Sequence, residues 1–170
     1  MNLKTVIRDI PDFPSPGILF RDITPILQSP DAFKAALDQI QDRLADLQFD
    51  LIAGPESRGF IFGVPLAVNM RKGFIPARKK GKLPASTIAK SYALEYGQET
   101  IEIHADAIKP GDRVVIVDDL LATGGTCRAL CELIEETGGE VTAIVFLIEL
   151  EALNGRAVLE GYNIETILKY

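Results

Sequence analysis

Hydrophobic positions along the chain fall into two rhythms. From Phe33 through Leu37, Ile40, Leu44 and Leu47 they recur at helical spacing, which lays one apolar stripe along a helix. Ser29 just ahead of the stripe is a natural N-cap and Pro30 suits a first helical turn, so the pattern predicts a helix running to about Gln48. Elsewhere the apolar residues come in short continuous runs. Phe49–Ala53, Phe74–Arg78, Arg113–Val117 and Val141–Ile148 read as strands, with Ile164–Leu168 as an edge strand. The β-branched run at Arg113–Val117 is the pattern of a strand buried on both faces. Between the runs, Gly59–Met70 reads as a mostly apolar helix despite Pro65, and Gly125–Glu136 as a helix stopped by Gly138 and Gly139. Ser86–His104 reads as a β-hairpin turning near Gly97. Pro11, Pro14, Pro16, Pro25 and Pro30 punctuate the first thirty residues, which are expected to be irregular rather than one continuous helix.

Strands alternating with helices predict an α/β fold: a single domain, residues 1–170, with a mostly parallel twisted sheet flanked by helices. Such sheets bind ligands outside the carboxyl ends of their strands. The chemistry is therefore expected at 54–58 and 118–126, the two segments that follow apolar strands.

Composition narrows the chemistry. Of 170 residues, 47% are hydrophobic and 25% charged, which is ordinary for a globular domain and excludes a disordered chain. A net charge of −6 argues against nucleic acid as a partner. No apolar run approaches the ~20 residues that span a bilayer, and Met1–Asp9 lacks a signal-peptide core, so no membrane role is expected. The two cysteines, Cys127 and Cys131, are four apart in a predicted helix and make no disulfide framework, which fits a reducing cytoplasm. His104 is the only histidine, so zinc sites and Ser–His–Asp or Cys–His catalysis are disfavoured. His104 and both cysteines are read as packing residues.

The informative stretch is 114–126, Val-Val-Ile-Val-Asp-Asp-Leu-Leu-Ala-Thr-Gly-Gly-Thr. Its last five residues, Ala122, Thr123, Gly124, Gly125 and Thr126, join a strand to a helix. Free amides and the helix dipole at such a junction favour an anion, the glycines let backbone close around a phosphate, and the threonine hydroxyls can donate. No lysine follows the glycines, so this is not a nucleoside-triphosphate loop. Asp118 and Asp119 leave the buried strand together and are costly to desolvate without partners. They can accept hydrogen bonds from vicinal sugar hydroxyls or order a hydrated divalent cation. A phosphate cradle beside paired carboxylates suits a ribose 5-phosphate. Arg78-Lys79-Lys80-Gly81-Lys82 adds four cations in five residues of an acidic chain.

This stretch resembles the phosphoribosyl-pyrophosphate (PRPP) motif of the type I phosphoribosyltransferases. Pro11–Ile23, Ala53–Phe60, Arg78–Pro84 and Ser91–Gly97 resemble the branch of that family whose acceptor base is adenine, and the likeness covers nearly the whole chain. The resemblance implies transfer of phosphoribosyl from PRPP to adenine, with Mg²⁺ carried by PRPP and its waters rather than by a direct protein site. It assigns Ala122–Thr126 to the 5-phosphate, Asp118 and Asp119 to the ribose, and Glu56, Ser57, Arg58, Arg78, Lys79 and Lys82 to pyrophosphate, with a cis peptide at Glu56–Ser57. Leu19, Phe20, Arg21 and Leu150 would hold adenine, residues 1–30 forming a hood over it. Residues 86–104 would be a flexible lid bearing Glu95, the acid/base group, with Tyr96 beside it. The resemblance also implies a homodimer in which Arg78 reaches toward the partner's site. Two rivals are a transferase for another base and a PRPP-sensing regulator, and the regulator lacks the basic face or extra domain it would need.

Overall fold

The computed structural model describes residues 1–94 and 97–170. After a short 3₁₀ turn at Leu3–Thr5 comes a two-stranded antiparallel pair, β1 (Arg8–Pro11) and β2 (Leu19–Asp22), then α1 (Thr24–Gln28) and α2 (Pro30–Leu44). There follow β3 (Leu51–Pro55), α3 (Arg58–Met70), β4 (Gly73–Lys79), the hairpin β5 (Thr87–Ala93) and β6 (Gln98–His104), β7 (Arg113–Leu121), α4 (Gly125–Glu136), β8 (Glu140–Glu149), α5 (Gly155–Val158) and β9 (Ile164–Lys169). Seven strands form one sheet in the order β5-β6-β4-β3-β7-β8-β9. The five from β4 to β9 are parallel neighbours, and the hairpin is added antiparallel at the β4 edge.

Alternation along the central strands fills two cores. Val115 and Val117 of β7 and Val145 and Leu147 of β8 face α2 and α3, where Ile40, Leu44, Phe62 and Leu66 meet them. Val114, Ile116, Ile144 and Phe146 face the opposite way, onto Leu130, Cys131, Leu133 and Ile134 of α4. A strand buried on both faces must be apolar at every position, which is why these strands show as continuous runs in the sequence.

The element types follow the hydrophobic pattern, and the differences have local causes. Helix α2 starts as expected, the Ser29 hydroxyl accepting from the Ala32 amide at 3.3 Å, but ends at Leu44, where Leu47 N–H turns back to the Leu44 carbonyl. β7 continues to Leu121 instead of stopping at Val117, because its ladder with β8 runs on through Asp118↔Phe146 and Leu121↔Glu149. β3 likewise runs to Pro55 through Pro55↔Ala77. The first thirty residues hold more structure than expected. Arg8 is bound to the buried Asp22 carboxylate, whose other oxygen accepts from the Thr24 amide at 2.9 Å and starts α1.

Candidate active site

β3 and β7 are hydrogen-bonded neighbours, so the turns at their carboxyl ends meet. They enclose a cavity of about 240 Å³ lined by 55–58 on one side and 118–127 on the other, with Phe146 behind. The two segments that sequence reasoning singled out are thus walls of one site.

Close packing sets this geometry. A Cβ on Gly59 would lie 2.8 Å from the Pro55 ring and 3.1 Å from Asp118 Oδ1, so only glycine lets the head of α3 sit against the end of β7. That approach delivers Arg58 to Asp119, Nε to Oδ2 at 2.9 Å. Alternation from Val115 and Val117 turns Asp119 toward α3, so strand periodicity and the glycine contact together make the pair. The Glu56–Ser57 peptide is cis, as the resemblance implied.

The two carboxylates differ in environment. Asp119 is 4% exposed and ion-paired. Asp118 keeps part of its surface open to the cavity, and its Oδ1 accepts the Asp119 amide at 2.8 Å. Burial pushes the Asp118 carboxyl well above the ordinary range, and the neighbouring Asp119 charge pushes it further. Burial also raises Asp119, but Arg58 opposes the rise. Among the described residues, Asp118 is therefore the carboxyl of the pair that carries no cation of its own.

Gly124 caps α4 with φ of +85°, a left-handed conformation that lets the chain from Ala122 to Thr126 wrap over the helix start. The Thr126 hydroxyl donates to the Tyr92 hydroxyl at 2.9 Å, and Tyr92 donates in turn to Glu99 at 3.2 Å. Cys127 borders the cavity but is buried beside Cys131, and the Cys131 thiol together with burial drives its own thiol well above the usual value.

The basic run is less free than its sequence implies. Arg78 binds the Glu56 carboxylate through Nε at 3.1 Å and Nη2 at 3.0 Å, and the Lys79 amide donates to the other Glu56 oxygen at 2.6 Å. Burial works to raise the Glu56 carboxyl, but the Lys79 amide, the Arg78 fork and the nearby Lys82 charge hold it below its ordinary range. Lys79 Nζ is ion-paired with Glu99. A smaller cavity of about 90 Å³ collects Glu56, Arg78, Lys79, Tyr92, Glu99 and Thr126. Lys82 is exposed and lines neither cavity, meeting the group only where its carbonyl accepts Arg78 Nη1 at 3.4 Å.

Leu19, Phe20 and Arg21 lie on β2, and with Leu150 they line neither of these cavities. Leu19 is exposed, Phe20 packs edge-to-face on Phe13 with ring centroids 5.1 Å apart, and the Arg21 guanidinium sits 4.0 Å over the Tyr170 ring. Tyr170 is hydrogen-bonded to Glu149 and Glu151, which flank Leu150, so the β1–β2 pair is docked at the carboxyl end of β8. Glu95 and Tyr96 lie outside the described residues.

Two contributors escaped sequence reasoning. Tyr92 lies within the Ser91–Gly97 segment but carried no expected role of its own, and its link to Thr126 depends on the hairpin folding over α4. Gly155 drew no expectation from the sequence, although it packs against the backbone of 122–124.

A parallel sheet whose two adjacent switch-point turns offer a Thr-Gly-Gly-Thr helix start, paired aspartates and an arginine defines a phosphoribosyl-handling transferase. A family model described as a phosphoribosyl transferase domain matches residues 22–162, and the chain belongs to that family. It is 60% identical over 99% of its length to the adenine phosphoribosyltransferase of Lachnoclostridium phytofermentans, of which it covers 97%. A crystal structure of the adenine phosphoribosyltransferase from Thermoanaerobacter pseudethanolicus superposes with a TM-score of 0.96 at 53% identity, covering 99% of this chain and 98% of that one. The Saccharomyces cerevisiae enzyme, crystallised with an imino-altritol bisphosphate and adenine, gives 0.91 at 40% identity over 97% and 96% of the two chains. Within the family the chain falls in the adenine phosphoribosyltransferase branch, a group of pentosyltransferases.

Proposed function

We propose that this chain transfers the 5-phosphoribosyl group of PRPP to adenine, giving AMP and pyrophosphate, with the roles divided along the cavity walls. Ala122–Thr126 hold the 5-phosphate with loop amides and the Thr123 and Thr126 hydroxyls. Asp118 and Asp119 accept from the ribose hydroxyls. Arg58, with the Ser57 amide, receives pyrophosphate, the guanidinium passing from Asp119 to the more highly charged ligand. The observation that carries this reading is the meeting of both turns in one cavity, with Arg58 on Asp119 at its centre.

Glu56 serves by holding Arg78 and the Lys79 amide beside that wall, and Lys82 adds positive charge from the rim. Mg²⁺ would neutralise charge on the pyrophosphate. Among the described residues no three metal-ligating side chains cluster, and the under-neutralised Asp118–Asp119 pair fits outer contacts to waters on a PRPP-bound ion. Departure of pyrophosphate builds oxocarbenium character at C1′, so water must be kept out while adenine attacks. The hairpin at 86–104 closes over the site for that purpose, and Glu95 exchanges the proton at adenine N7 with Tyr96 beside it. Phe20 stacks on the purine under the hood, and backbone at Leu19 and Arg21 reads its N6/N1 edge, with Leu150 opposite. A 6-oxo purine there would set carbonyl against carbonyl and leave both unpaired.

The enzyme is proposed to be cytoplasmic, and no described helix is long and apolar enough to cross a membrane. It is proposed to work as a homodimer, and sedimentation equilibrium should return twice 18.6 kDa. The deciding assay is AMP formation from adenine, PRPP and Mg²⁺, with hypoxanthine and guanine as controls. Turnover with adenine alone supports the reading, and turnover with either oxo-purine at a comparable rate overturns it. Glu95→Gln should lower kcat by about 10²-fold, as expected for loss of a general acid–base group.

A further inference from the structure

Glu149, the last residue of β8, is 4% exposed, and none of the roles above uses it. Its carboxylate takes the Arg156 fork, Nε at 2.6 Å and Nη2 at 2.8 Å, and accepts the Thr166 hydroxyl at 3.0 Å. Arg156 Nη1 donates to the Ile164 carbonyl at 3.2 Å. A two-point fork onto a buried carboxylate holds the guanidinium against the end of β8, although the Arg156 side chain is itself 39% exposed.

That backbone touches the phosphate loop. Gly155 directly precedes Arg156, and a Cβ on it would lie 2.4 Å from the Ala122 carbonyl oxygen and 2.8 Å from Leu121 Cδ1. Reciprocally, a Cβ on Gly124 would lie 2.7 Å from the Gly155 carbonyl oxygen. Two glycine backbones therefore meet directly beneath the loop, with no side chain to absorb a displacement. On the β8 side the Leu150 amide donates to the Leu121 carbonyl at 3.0 Å, joining the loop's entry to the residue after Glu149.

We infer that Glu149, Arg156 and Gly155 form a brace that positions the Ala122–Thr126 loop for the 5-phosphate. They are positioning residues, since none of the three lines the cavity between 55–58 and 118–127. A cradle of amides works only if its donors are aimed before the anion arrives, and a shift well under 1 Å costs much of the gain. The fork supplies the rigidity, and the glycine contact transmits it to the carbonyls and amides of 122–124. The inference rests on the assignment of that loop to the 5-phosphate.

The test is calorimetry with ribose 5-phosphate, paired with KM for PRPP and adenine, on the full chain. Arg156→Lys keeps the charge and loses the fork, and Gly155→Ala pushes on the Ala122 carbonyl. Each should weaken ribose 5-phosphate binding about tenfold or more and raise KM for PRPP in step, with KM for adenine unchanged, as for a misaimed binding loop. Arg113→Lys removes the comparable fork to Asp50 at the amino end of β7 and should leave ribose 5-phosphate affinity unchanged. If Gly155→Ala does not fold, Arg156→Lys carries the test. Variants that lose melting temperature but keep wild-type affinity overturn the brace, as does an equal loss of affinity in Arg113→Lys. Thr126→Val separates the two levels: if it retains ribose 5-phosphate affinity the loop assignment itself fails, and if it alone loses affinity only the brace fails.

Discussion

Asp118 is the residue at which binding and stability pull apart. Its native carboxyl titrates above the ordinary value because burial and Asp119 disfavour its charge. A group whose native value is raised binds a proton more readily folded than unfolded, so its ionisation costs stability as pH climbs past the unfolded value near 4. Asp118→Asn should accordingly melt higher than the wild type at neutral pH, by roughly 2–4 °C for each kcal/mol relieved in a chain this long. The gain should vanish by about pH 3, below the unfolded value, where the aspartate is protonated in both states. The same variant should bind PRPP poorly. Scanning calorimetry of both proteins at pH 7 and pH 3 checks the first expectation, and an advantage of the variant over the wild type no larger at pH 7 than at pH 3 refutes it. Arg58 is legible in sequence as a cation on a turn, but its attachment to Asp119 is not, because that contact joins residues on different strands' turns.

Among elements, the β5–β6 hairpin and α3 make the clearest expectations. The hairpin is tied to the loop by Thr126 and Tyr92, and to α4 by Lys90, which pairs with Glu132 and Glu136. Tyr92→Phe keeps the ring against Gly125 and removes the hydroxyl. Amides of 87–94 and 97–104 in the ligand-free protein should then exchange at least about fivefold faster, since the hydroxyl's bonds to Thr126 and Glu99 are both lost, with exchange in β7 and β8 unaltered. Gly59→Ala inserts a methyl between the Pro55 ring and the end of β7. It should cost about 1–3 kcal/mol as an overpacking substitution, read from the urea midpoint, and weaken PRPP binding by moving Arg58. Hydrophobic rhythm made the long helices and the strands of the seven-stranded sheet readable, but not β1, β2, α1 or α5. Their ends were less so: β3 and β7 are extended by ladders to β4 and β8, and pairing partners leave no mark in a strand's own sequence.

For the whole molecule, the acidic balance hides carboxylates that favour the folded state. Asp22, Glu56 and Glu149 are all held below their ordinary range: Glu149 chiefly by Arg156, Asp22 chiefly by the Thr24 amide, and Glu56, against its burial, by the Lys79 amide and Arg78. Depressed values contribute stability that is present above the unfolded value and lost as pH falls through the native one. The melting temperature should therefore fall as pH drops below about 4, and Glu149→Gln, lacking the best-buried of these pairs, should fall less steeply. A parallel decline in the two proteins refutes that share for Glu149.

Some properties needed nothing beyond the order of residues. Local chemistry is written locally, so the β-branched runs and the capped helix at Pro30 gave the α/β class, and the Asp-Asp…Thr-Gly-Gly-Thr stretch marked one loop as the proposed phosphate site. Folding decided which distant groups share a wall. It turned Arg78 and Lys79 from a free basic patch into partners of Glu56 and Glu99, attached Tyr92 to Thr126, and set Gly155 beneath Gly124. Those contacts come from strand order and from backbones packed too closely for a side chain, and neither is fixed until the sheet has formed.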